Sequence, residues 1–165
     1  MSTINRVGVV GCGLMGAGIA EVCARAGKDV VVIEETTERV VVGTERIEAS
    51  LDRAAQRGKI ENAGAVLERV RVVRDLDALA DRDLVIEAIV EDGEAKSALF
   101  ATIDRVVASP EAIPASNTSS IPIMRLAVAT ERPAQVIGLH FFNPVPVLNL
   151  VEVVPSLLTA AAVTA

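Results

Sequence analysis

The chain has no tryptophan, no tyrosine and three phenylalanines, so the core that its 165 residues build must be aliphatic. It lacks the aromatic platforms on which bases stack, and its formal charge of −6 is spread without a basic cluster. Both features argue against nucleic acid as a partner. Two cysteines, Cys12 and Cys23, have neither metal nor redox spacing and are expected to stay reduced, with no metal site. No apolar run reaches the roughly eighteen residues that a membrane span needs, and Met1 to Arg6 reads as neither signal nor transit peptide. A cytoplasmic protein without membrane contact is the expectation. The length suits one domain with a sizeable core and leaves no room for a second complete one.

What is present is a regular alternation. Val7 to Val10 is a β-branched run, followed at once by Gly11-Cys12-Gly13-Leu14-Met15-Gly16. Met15, Ile19, Val22, Cys23 and Ala26 then recur at helical spacing, and Gly27 stands where a helix ends in a left-handed residue. A second buried strand, Val30 to Ile33, runs into Glu34. A long charged helix is expected over 36–57 and a shorter one over 62–68, as a helical excursion. Strand-like runs follow at 70–73 and 84–89, then a helix over 94–107 and a short strand ending near Ser116. Asn117-Thr118-Ser119-Ser120 is expected to cap a further helix through about residue 129, before final strands at 136–141 and 148–154. Strands alternating with helices imply a doubly wound, mostly parallel α/β sheet of Rossmann type.

The glycine turn carries specific chemistry. In G-x-G-x-x-G the first glycine makes the bend, the second admits a pyrophosphate to the backbone, and the third lets helix pack on strand. Gly11, Gly13 and Gly16 match, between a strand and an amphipathic helix whose N-terminus faces the anion. Glu34, eighteen positions beyond the third glycine, is placed to accept from the adenosine ribose hydroxyls and to repel a 2′-phosphate. The spacing therefore predicts NAD in preference to NADP.

The single histidine, His140, offers a second chemistry. If the runs on either side of Pro146 pair as an antiparallel hairpin centred on it, His140 and Glu152, each six residues away, face each other. Opposed residues share a face of the sheet, so a carboxylate would orient the imidazole and raise its pKa. That arrangement makes a general base. Glu152 lies within Leu150-Val151-Glu152-Val153-Val154, where a carboxylate is costly to bury without a hydrogen-bond partner.

Four segments occur in order: Gly11 to Ala20, Glu87-Ala88-Ile89-Val90-Glu91, Ser116-Asn117-Thr118-Ser119-Ser120, and His140-Phe141-Phe142-Asn143-Pro144. Together they resemble the L-3-hydroxyacyl-CoA dehydrogenase family, including its 3-hydroxybutyryl-CoA dehydrogenases, from Val7 to about Pro155. The resemblance implies an NAD-dependent oxidoreductase of fatty-acid metabolism acting on an acyl-CoA. His140 becomes the base that takes the 3-hydroxyl proton, Glu152 its orienting partner, and Ser119 and Asn143 donors to the reacting oxygens or the imidazole. Gly11, Gly13, Leu14, Met15, Gly16, Glu34, Ala88, Glu91, Lys96 and Asn117 become the cofactor set. Glu34 departs from the commoner aspartate but keeps the carboxylate. The excursion, with Arg39, Arg46, Arg53 and Arg57, is implied to help bind coenzyme A.

The resembling enzymes continue into a helical domain that closes the cleft and forms most of a dimer interface. Residues 1–155 are accordingly expected to be the NAD-binding domain and 156–165 the start of a connection, with the whole protein a homodimer. The chain alone is expected to hold NAD with little turnover, and to bare apolar surface near Val151, Val153, Leu157 and Leu158. A nucleotide-binding module without catalysis remains an alternative. So does a 3-hydroxy-acid dehydrogenase with a lysine base, although the glycine-rich substrate motif of that class is absent.

Overall fold

The computed structural model describes residues 4–164. Seven strands form one sheet in the order β3-β2-β1-β4-β5-β6-β7. They are β1 Arg6–Val10, β2 Asp29–Ile33, β3 Val70–Val73, β4 Leu84–Glu87, β5 Ile113–Ser116, β6 Ile137–Phe141 and β7 Val151–Pro155. The first six pair in parallel, and β7 runs antiparallel to β6. The helices are α1 Leu14–Arg25, α2 Thr37–Gln56, α3 Ala63–Leu67, α4 Gly93–Val106, α5 Ile123–Ala127 and α6 Ala161–Thr164. This is the doubly wound sheet expected, with α2 and α3 as the excursion.

Strand alternation explains the burial. Val30 and Val32 pack with Ile19, Ile47 and Leu51 on one face, while Val31 and Ile33 pack with Leu79, Ile103 and Val107 on the other. Because both faces are covered, β2 reads as a continuous apolar run rather than an alternating one. Phe100 is the one aromatic side chain fully buried among the described residues, and it sits with Ile123, Leu126 and Val136 under α4 and α5.

Two strand boundaries, one short 3₁₀ turn and one helix cap differ from expectation. β4 stops at Glu87 rather than residue 89, because the Glu87 carboxylate accepts from the Ile89 amide at 2.8 Å and bends the chain out of the ladder. β7 begins at Val151, since Val147 and Leu148 donate backward to the Pro144 carbonyl in a turn. Leu76–Leu79 forms a 3₁₀ turn capped by Asp75, an Asx-type signal left unread. Asn117 to Ser120 does not cap α5: Pro122 occupies that position without a side-chain bond, while Thr118 and Ser120 donate to Glu91 and Asn117 accepts from the Phe141 amide.

Beyond α5 the surface turns apolar. Val151, Val153, Leu157 and Leu158 are 40%, 50%, 92% and 39% exposed, where the expectation put bare apolar surface. No helix among the described residues is long and apolar enough to cross a membrane.

Candidate active site

In an open parallel sheet the ligand crevice forms where strand order reverses, outside the carboxyl ends of the strands. Here that point lies between β1 and β4. The turn after β1 and the residue after β4 are tied together, for Ala88 donates its N–H to the Val10 carbonyl at 2.8 Å. Gly11 holds a φ of 94°, which L side chains rarely adopt, and a Cβ on Gly16 would lie 1.8 Å from the Gly11 carbonyl oxygen. Gly13, in contrast, has open space: a Cβ there meets nothing within 4 Å. The turn is thus closed on the side that packs and open where the first amide groups of α1 point. That combination fits a pyrophosphate.

A cleft of about 680 Å³ gathers Gly11, Gly13, Glu34 and Ala88, as the cofactor assignment requires. Glu34 is 8% exposed, and its carboxylate accepts from the Cys12 amide at 2.5 Å and the Glu35 amide at 3.3 Å. Leu14 and Met15 open α1 beside it, Leu14 exposed and Met15 packed against the core. Burial, with the neighbouring Glu34 charge, pushes the Cys12 thiol up to about 12 despite Arg46. Burial likewise raises Cys23 to about 11, so neither is a nucleophile at neutral pH.

Glu91, Lys96 and Asn117 do not line that cleft; they belong to a second cluster whose centre is Glu87. Glu87 is fully buried and accepts from Lys96 Nζ, from the Ile89 amide and from the Ser116 hydroxyl at 2.7 Å. Lys96, 1% exposed, also lies 3.1 Å from Glu91. Burial works to raise the Glu91 carboxyl, but hydrogen bonds from Thr118 and Lys96, the Lys96 charge and the Ser120 hydroxyl outweigh it and hold the group at about 2. The motif at 117–120 therefore grips Glu91 and, through Asn117, reaches the last parallel strand: the Asn117 Oδ1 accepts from the Phe141 amide at 2.9 Å. Sequence reading missed Glu87. The signal was there, since a lone carboxylate ending the apolar run Leu84-Val85-Ile86 is the same clue that singled out Glu152.

The third group is the histidine pair. β6 and β7 pair with His140 opposite Glu152, in the register expected, and His140 Nδ1 lies 2.8 Å from Glu152 Oε2. With Nδ1 engaged, Nε2 is left without a protein partner among the described residues. The ring of Phe142 lies 4.5 Å away, centroid to centroid, and limits how the imidazole can tilt. The side chains of Ser119 and Asn143 are exposed and bond no protein group among the described residues; the Ser119 amide donates to Glu91 at 3.3 Å. A separate hollow of about 710 Å³, with Arg25 and Lys59 at its edge, includes Phe141 and Val151. These residues alternate with His140 and Glu152, so that hollow opens on the opposite face of the sheet from the imidazole.

The sheet order, the glycine turn at its switch point and the buried acceptor after β2 define a dinucleotide-binding domain of the dehydrogenase class. The comparisons are more specific. The 3-hydroxyacyl-CoA dehydrogenase, NAD binding domain family matches residues 6–165, and the chain belongs to that family; NAD is its cofactor. A 3-hydroxybutyryl-CoA dehydrogenase of Mycobacterium tuberculosis is 54% identical over 164 residues, covering 98% of this chain and 57% of the relative. The mitochondrial hydroxyacyl-coenzyme A dehydrogenase of Rattus norvegicus is 42% identical, with 95% and 52% covered. Among solved structures, that of FadB2 from M. tuberculosis superposes with a TM-score of 0.96 at 53% identity, covering 99% of this chain and 58% of the other. The chain thus spans a little over half the length of these relatives.

Proposed function

We propose that this chain is the cofactor-binding and catalytic-base part of a 3-hydroxyacyl-CoA dehydrogenase, acting on a short acyl-CoA such as the 3-hydroxybutyryl thioester named for its relatives. The observation that carries the reading is the 2.8 Å contact of His140 Nδ1 with Glu152 Oε2. It fixes the ring and leaves Nε2 to take the proton of the 3-hydroxyl group as the carbonyl forms. NAD, when bound, supplies the acceptor for the hydride that leaves the same carbon. Glu152, whose side chain is 54% exposed rather than buried among its valines, holds Nδ1 and so keeps the ring oriented for that transfer. The unengaged side chains of Ser119 and Asn143 are assigned to the substrate oxygens. Glu91, Lys96 and Asn117 are assigned to the nicotinamide-ribose side, held there by Glu87.

We further assign residues 1–155 to the NAD-binding domain and 156–165 to a connection toward the part of the relatives that lies beyond the match. In this reading the whole protein is a homodimer through that second part, and the exposed apolar residues of β7 and Leu157 face it. A cytoplasmic setting belongs to the same reading.

The test is His140→Gln in the full-length protein, assayed by acetoacetyl-CoA reduction alongside NADH titration. Loss of a general base should lower kcat by roughly 10²- to 10⁴-fold with NADH affinity nearly intact. Turnover within about threefold of the natural enzyme at neutral pH removes the base assignment. Sedimentation of the same protein checks the dimer.

A further inference from the structure

The adenosine end of the cleft carries more positive charge than an NAD ribose calls for. Arg39, Arg46 and Arg74 all line it beside Glu34 and Glu35. Arg74 donates Nε to the Glu35 carbonyl at 3.2 Å, and Arg46 donates Nη1 to the Cys12 carbonyl at 2.6 Å. Each bond fixes a guanidinium while spending one of its five N–H donors. Among the described residues neither Arg46 nor Arg74 has a carboxylate within 4.0 Å. Arg39 lies 3.3 Å from Glu35 and 4.0 Å from Glu34.

A neutral ribose gives such a group of cations nothing to pair with. A phosphate monoester does, since its oxygens take several charge-assisted bonds from planar guanidinium forks, and an arginine near the ribose accommodates the 2′-phosphate of NADP in dinucleotide folds. One group opposes it. The Glu34 carboxylate is buried and pinned by two amide donors, so it cannot turn away from an incoming dianion. Glu35 opposes far less, because its side chain is 81% exposed and already paired with Arg39.

We propose that Arg39, Arg46 and Arg74 form a ready receptor for a phosphate monoester at the ribose, masked in the natural chain by the Glu34 charge and uncovered when that charge is removed. The proposal rests on the adenosine half of NAD lying in this cleft.

Calorimetric titration of the chain with NADH, NADPH and 2′,5′-ADP tests it. Glu34→Gln should tighten NADPH and 2′,5′-ADP by about tenfold or more, with a steeper salt dependence than NADH shows. Glu34→Asp keeps the charge and should give no gain. Adding Arg39→Gln and Arg74→Gln to Glu34→Gln should remove most of the gain. No gain in Glu34→Gln, or a gain that survives loss of both arginines, overturns the proposal. Circular dichroism melting establishes that each variant is folded. Should Glu34→Gln not fold, Arg39→Gln with Arg74→Gln in the natural sequence must weaken 2′,5′-ADP more than NADH, and equal weakening overturns the proposal. Failure of the natural chain to bind NADH is a different result, which removes the cofactor placement itself.

Discussion

Lys96 is bonded to Glu87 and stands 3.1 Å from Glu91, so one buried ammonium is shared by two carboxylates of unequal exposure. Glu87 has no access to solvent, whereas the Glu91 side chain is 41% exposed. The shared cation decides what happens when either partner is lost. Lys96→Met should strand the Glu87 charge and cost about 3 to 5 kcal/mol, the usual penalty for breaking a buried pair from one side. Urea unfolding reads this directly, and a loss below about 1 kcal/mol would show that Glu87 is satisfied without the lysine.

Glu91 gives a pH signature. Its carboxyl is held at about 2 in the folded chain against an ordinary 4.5. A depressed folded value means the contribution to stability is fully present above 4.5 and is lost as pH falls through the window down to about 2. Glu91→Gln should therefore flatten the acid limb of the stability curve in that window and leave the slope above pH 5 unchanged. An identical acid limb in the variant contradicts the assignment.

Two glycines of one turn should respond in opposite ways. Gly16→Ala forces a Cβ against the Gly11 carbonyl and should cost about 1 to 3 kcal/mol through overpacking, with loss of NADH binding. Gly13→Ala meets no atom, and its φ of −65° suits alanine, so its melting temperature should hold. The added methyl occupies the space assigned to the pyrophosphate, and NADH affinity should fall by about tenfold or more. A melting temperature that falls equally in both variants would refute the division of labour.

Cys12 should resist alkylation. With its thiol raised to about 12, roughly one molecule in 10⁴ carries the thiolate at pH 8. Iodoacetamide treatment of the folded chain, read by mass spectrometry, should leave Cys12 unmodified until denaturant is added. Rapid labelling in the native state would mean that the turn opens.

The histidine pair was legible because an antiparallel ladder obeys a simple rule: once its centre is fixed at Pro146, opposition follows by counting. The glycine turn was legible because its geometry tolerates few alternatives. Glu87 was signalled only as a lone carboxylate closing an apolar run, since nothing in the spacing of Glu87, Lys96 and Ser116 shows that three separate elements converge on it. The segment at 117–120 was half read. Its residue types suit a helix cap, but Pro122 intervenes, and the side chains of Asn117, Thr118 and Ser120 turn to Phe141 and Glu91 instead. Arg39 and Arg46 were read as part of a coenzyme A surface; they face the glycine turn because α2 lies across it, with Gly43 close enough that a Cβ there would sit 2.7 Å from the Cys12 sulfur.

The antiparallel pairing of β7 with β6 makes the proposed catalytic pair a question of odd and even. A slip of one residue along that ladder would set Val151 or Val153 across from His140 and carry Glu152 through to the other side of the sheet. The loop at 142–150 can therefore lengthen or shorten freely only while the ladder keeps its count. Between two neighbouring alignments of the same strand, equally well hydrogen-bonded along the backbone, one holds an imidazole oriented by a carboxylate and the other holds a histidine among valines.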